Sequence, residues 1–74
     1  MSFKINIPTL DGMSKLVRAA ERNRANVLVS KEGFSWTVDC ASMVAMMALI
    51  SSNIVVKCEE CSEELLSIVS KYRI

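Results

Sequence analysis

Two thiols stand three residues apart in Cys58-Glu59-Glu60-Cys61, and the chain has no histidine among its 74 residues. A Cys-x-x-Cys step can act as a redox pair or as part of a metal site. The redox use needs a lowered thiol pKa, from a helix N-terminus or nearby cations. Glu59 and Glu60 oppose that. A closed zinc site needs more ligands than two thiolates. Cys40 would be a third, and a zinc shared between two molecules is the remaining form. Cys40 itself alternates with Val38 and fits a core position. A thiol or metal-binding module built on Cys58 and Cys61 is therefore one reading, with no metal ligand set assigned. Paired acids, a Gly-rich phosphate loop and a nucleophile triad are all missing, so neither an enzyme nor a cofactor is expected.

Other residue groups suit binding more than chemistry. Met43, Val44, Met46 and Met47 fall in one short run. Methionine repacks against different surfaces, which suits a docking site. Met46 and Leu49 are expected to face the core, leaving Met43 and Met47 partly exposed. Ser42 just before this run is either a helix N-cap or an acceptor of phosphate. Lys15, Arg18 and Arg22 share one face of an earlier helix, as a solvated surface or as docking points for an anionic partner. Trp36 is in register with Phe34 and Val38, which places it in the core or at its edge.

Formal net charge is +1, from 9 basic and 8 acidic residues. That balance gives no bulk attraction to nucleic acid or anionic lipid. The most apolar stretch, Met43 to Ile50, is too short to span a bilayer. Three cysteines with no export signal point to free thiols in a reducing cytoplasm. At this length one domain over residues 1–74 is expected.

These residues need a scaffold, and the hydrophobic periods supply one. Phe3, Ile5 and Ile7 alternate with polar residues as a half-buried strand that Pro8 stops. Thr9 to Gly12 reads as a loop with two candidate caps, Thr9 and Asp11. From Met13 the period becomes helical, with Leu16, Val17 and Ala20 on one face. Asn23 to Asn26 can end that helix. Val27 and Val29 begin a second strand, and Lys31-Glu32-Gly33 forms a hairpin turn. Phe34, Trp36, Val38 and Cys40 alternate cleanly as a third strand. Ala41 to Ile50 is a short helix, Ser51 to Asn53 a loop, and Ile54 to Lys57 a fourth strand. Ser62 caps a last helix whose apolar face is Leu65, Leu66, Ile68, Val69 and Tyr72.

The order β-α-β-β-α-β-α makes an α+β sandwich, one sheet with helices on one face. Two architectures share it. One is a ferredoxin-like small-ligand domain with an added C-terminal helix; the other is the HPr-like fold. Val38-Asp39-Cys40-Ala41-Ser42-Met43-Val44-Ala45-Met46-Met47-Ala48-Leu49 resembles the regulatory segment of HPr, the phosphocarrier of the bacterial sugar phosphotransferase system. In that family a strand ends in a polar step, a regulatory serine follows, and then an apolar helix that ends in leucine. The element order fits over nearly the whole chain, closest to shortened HPr-like proteins without the active-site histidine.

The resemblance implies an open-faced sandwich with a four-stranded antiparallel sheet and three helices. It implies a protein partner of the phosphotransferase system, met by Met43, Val44 and Met47 with Lys15 and Arg18, and regulation at Ser42. The family's histidine lies just ahead of its first helix. This chain has only Thr9-Leu10-Asp11-Gly12-Met13-Ser14-Lys15-Leu16 there, and no residue is assigned opposite it. Phosphohistidine transfer needs an imidazole, so this chain is expected to lack it and to be a regulatory or protein-binding paralogue.

Overall fold

A computed structural model describes residues 1–74. Three helices cover one face of an antiparallel sheet in the strand order β1-β4-β2-β3. The strands are β1 (Ser2–Asn6), β2 (Val27–Lys31), β3 (Val38–Asp39) and β4 (Asn53–Cys58). The helices are α1 (Leu10–Arg22), α2 (Met43–Met47) and α3 (Glu63–Tyr72). A ferredoxin-like sheet would seat its first and third strands side by side at the centre. Here both lie at the edges, with β4 and β2 between them, which is the HPr-like arrangement.

Alternation explains the two central strands. Val27 and Val29 on β2, and Ile54, Val56 and Cys58 on β4, all face the helices and are buried. Ile5 and Ile7 extend this layer, and Met13, Leu16, Val17, Leu65 and Val69 meet it from above. The outer edge of β1 is partly covered by the C-terminal segment. Arg73 bridges Ile5 in antiparallel fashion, and Ile74 N donates to the Lys4 carbonyl at 3.1 Å. Such cover blunts an edge that would otherwise pair with another chain.

Three expectations are corrected. Thr9 to Gly12 is not a loop: Thr9 caps α1 and the helix starts at Leu10. Thr9 Oγ1 accepts from Gly12 N at 3.1 Å, so the cap places Gly12 inside the first turn. The second helix is shorter than Ala41 to Ile50. It spans five residues, and Ser51 at φ 66° ends the turns that follow. Ser51 N donates to the Ile7 carbonyl at 2.8 Å, which pins that left-handed residue to the end of β1.

The third strand is the largest departure. Only Val38 and Asp39 join the ladder, opposite Val29 and Leu28. The turn before it forms as expected, with Gly33 at φ 87° and Phe34 N donating to the Lys31 carbonyl at 3.0 Å. Phe34 and Trp36, however, are 53% and 41% exposed, outside the core. Alternation specifies a strand only where one face has something to pack against. The helix layer reaches Val38 and Cys40 and leaves Phe34 and Trp36 without cover. Those two rings pack on each other at 5.7 Å, with Lys31 Nζ 5.3 Å from the Phe34 centroid. Trp36→Ala should therefore shift stability by less than about 1 kcal/mol. A buried tryptophan would lose about 3–5 kcal/mol. Urea melts followed by circular dichroism separate the two values.

Candidate functional site

The apolar run becomes a small platform. α2 is too short to be stable alone, and two buried side chains, Met46 and Leu49, anchor it to the core. With Met46 turned inward, the helical period turns Val44 and Met47 outward. Val44 is 83% exposed and Met47 49%. Met43 is half-buried, and Ser14 Oγ of α1 lies 4.0 Å from its sulfur. The expected division of the methionines between core and surface is thus the observed one.

Ser42 occupies the N-cap place, but its side chain makes no cap hydrogen bond. Its backbone holds the turn instead: Ser42 N donates to the Asp39 carbonyl and Met46 N to the Ser42 carbonyl, each at 3.0 Å. Asp39 Oδ1 accepts from Ala41 N at 2.9 Å. The carboxylate closes the turn that leads into α2 and does not cap the helix, and Ser42 is exposed.

The basic residues turn another way. Lys15, Arg18 and Arg22 line a recess between α1 and α3, together with Glu64, Ser67 and Ile68. Lys15 Nζ sits 3.4 Å from Asp11 Oδ2. Arg22 holds Glu64 with two hydrogen bonds, Nε to Oε1 at 3.1 Å and Nη2 to Oε2. Those bonds keep the Glu64 carboxyl below the ordinary carboxylate range and raise Arg22 further. Of the three cations only Arg18 has no carboxylate in ion-pair reach. Lys15 and Arg18 therefore face α3, while the apolar platform meets α1 at Ser14.

The two thiols of the Cys-x-x-Cys step lie in one turn. Cys58 closes β4 and is buried, and Cys61 is half-buried just before α3. The Cys61 thiol is pushed up to about 11, first by burial and then by its neighbour Cys58. Glu59 and Glu60, expected to raise it, are not the cause. Cys40 is fully buried and pushed up to about 12, mainly by that burial. It does not join the pair as a third ligand: no three or more Cys, Asp or Glu side chains meet as a metal-binding group.

Sequence reasoning read Asn23 only as a helix end. In the fold it is a clamp: Nδ2 donates to the carbonyls of Ala25 at 2.9 Å and Glu60 at 2.7 Å, and Oδ1 accepts from Ser62 N at 2.8 Å. An asparagine at a helix end was the only signal, and its partners lie 37 and 39 residues away.

No helix is long and apolar enough to cross a membrane. No family model matches the chain, and no curated protein matches it. Among solved structures, the chain is similar to the phosphocarrier protein HPr from Bacillus anthracis str. Ames. The TM-score is 0.65, over 99% of this chain and 96% of that one, at 18% sequence identity. This likeness and the strand order together establish an HPr-like α+β open-faced sandwich.

Proposed function

We propose that this chain is a non-enzymatic, HPr-like protein-binding module of the cytoplasm, related to the phosphocarriers but unable to carry phosphohistidine. It docks a protein of the phosphotransferase system, or one that regulates it, through Met43, Val44 and Met47. Lys15 and Arg18, in the recess between α1 and α3, offer the same partner a separate cationic contact, and Ser42 is the regulatory phosphorylation site. The observation that carries this reading is Val44, an apolar side chain 83% exposed on a helix whose other contacts are already made. An apolar side chain so exposed gains from being covered by a partner, and the neighbouring Met47 is of a type enriched at interfaces.

The exclusion of phosphohistidine rests on the absent imidazole. The residue just ahead of the first helix is Thr9, whose oxygen already accepts a hydrogen bond from Gly12. It has no imidazole base beside it. With a net charge of +1, neither nucleic acid nor a membrane surface is proposed as a partner.

One experiment tests all parts. The protein is incubated with ATP and the HPr serine kinase, or with phosphoenolpyruvate and the first enzyme of the system, and its intact mass is read. One phosphate is expected from the kinase alone, none in Ser42→Ala, and a rate about tenfold or more lower in Val44→Asp through lost docking. A phosphate from phosphoenolpyruvate overturns the exclusion, no phosphate from the kinase overturns Ser42, and an unchanged rate in Val44→Asp overturns the docking surface.

A further inference from the structure

We infer that Cys58 and Cys61 form a reversible intramolecular disulfide in the folded protein, with Cys61 as the attacking thiol and Cys58 as the resolving one. This site is independent of the α2 platform. The two thiols lie at the two ends of one four-residue turn, between the end of β4 and the start of α3. The turn that joins them is held in place by groups from elsewhere in the chain. Asn23, at the end of α1, takes the Glu60 carbonyl on one side and the Ser62 amide on the other. The same Nδ2 lies 3.6 Å from Cys58 Sγ. Cys58 Sγ donates to the Glu60 carbonyl at 3.0 Å, and Cys61 Sγ reaches the Cys58 carbonyl at 3.8 Å. The turn that carries both sulfurs is thus held by its own hydrogen bonds, so less chain entropy remains to be lost when they bond. Two free thiols so placed are a ready dithiol.

Access sets the order of attack. Cys58 is 3% exposed. Cys61 opens into a recess lined by Arg22, Asn23, Arg24, Glu60 and Ser62. Arg22 is engaged by Glu64, whereas Arg24 has no carboxylate in ion-pair reach. A small anionic disulfide such as glutathione disulfide fits that charge. The Cys61 thiolate attacks one sulfur of that disulfide, forming a mixed disulfide and releasing one glutathione thiolate. The Cys58 thiolate then attacks Cys61 Sγ, forming the Cys58–Cys61 bond and releasing the second glutathione thiolate. The protein loses two hydrogens as protons, the two thiols are oxidised, and the glutathione disulfide is reduced to two thiols.

The raised Cys61 pKa makes the first step slow at neutral pH and faster in alkali. Thiolate is the attacking form, so its rate should climb about tenfold per pH unit from 7 towards 10.

The folded protein is equilibrated in buffers of graded reduced-to-oxidised glutathione ratio, acid-trapped, and weighed intact. The expected product is two hydrogens lighter, maps to a Cys58–Cys61 link, and reverts with excess reduced glutathione. Cys61→Ser should form no such product. A protein that stays fully reduced at the most oxidising ratio overturns the inference. So does one that stops at a glutathione adduct, or a Cys61→Ser variant that still loses two hydrogens. Cys61 is half-buried at the surface, and circular dichroism checks that the serine variant keeps the fold.

Discussion

Met46→Ala should destabilise the protein by about 2–5 kcal/mol, as deletion of a fully buried methionine side chain does elsewhere. Met46 is 0% exposed and is the buried residue of α2, the side chain that seats the helix on the core. For a chain of 74 residues the total stability is about 4–11 kcal/mol, so one such loss is a large share of it. The damage should also be uneven. α2 has five residues and no intrinsic stability to fall back on. With Met46 gone, only Leu49 and the half-buried Met43 and Ile50 hold it to the core, and amide exchange across Met43–Met47 should rise before that of β4 does. Val44→Ala, two residues away and 83% exposed, should change stability by less than about 0.5 kcal/mol. Urea melts read by circular dichroism give both values. Equal losses for the two variants would mean that α2 is not seated through Met46, and the exposure of Val44 would then lose its meaning.

That contrast was legible in the sequence because helical period sorts residues by face, and Met46 and Leu49 share one. The architecture was legible for a related reason. Strands β1, β2 and β4 carry apolar side chains on a face that helices cover, so period and burial agree. The third strand failed where they part. Phe34 and Trp36 keep the same alternation as Val38 and Cys40, yet the helix layer stops short of them. Period reports which side chains share a face, and it cannot report where the opposing layer ends. The cysteine turn failed differently. Its spacing was visible, but the clamp from Asn23 depends on a contact made across most of the chain, and no local pattern encodes it. Charge spacing put Lys15, Arg18 and Arg22 on one face of α1, and the fold sets that face along a recess shared with α3.

Gly12→Ala should also destabilise the fold, by about 1–2 kcal/mol, although alanine is the better helix former. In an open helix the exchange would gain about 1 kcal/mol. Gly12 is buried in the first turn of α1, packed against Tyr72 of α3 and Ile7. A methyl group there would meet Tyr72 Oη at 2.6 Å, Ile7 Cγ2 at 2.9 Å and Tyr72 Cζ at 3.0 Å. Overpacking of this kind costs about 1–3 kcal/mol. Tyr72 is half-buried at the last turn of α3 and can yield, but Ile7 is 0% exposed and cannot move without disturbing the core. The two obstacles can be told apart with a double-mutant cycle. Tyr72→Phe removes the hydroxyl, so Gly12→Ala should cost less in that background, with a coupling of about 0.5–1 kcal/mol. The residue of the penalty belongs to Ile7 and the tyrosine ring. If Gly12→Ala instead raises the urea midpoint, Tyr72 swings aside freely and the close packing of α1 on α3 does not constrain this position. Residue 12 then serves only to supply the backbone N–H that Thr9 Oγ1 accepts, and a serine or alanine would do as well.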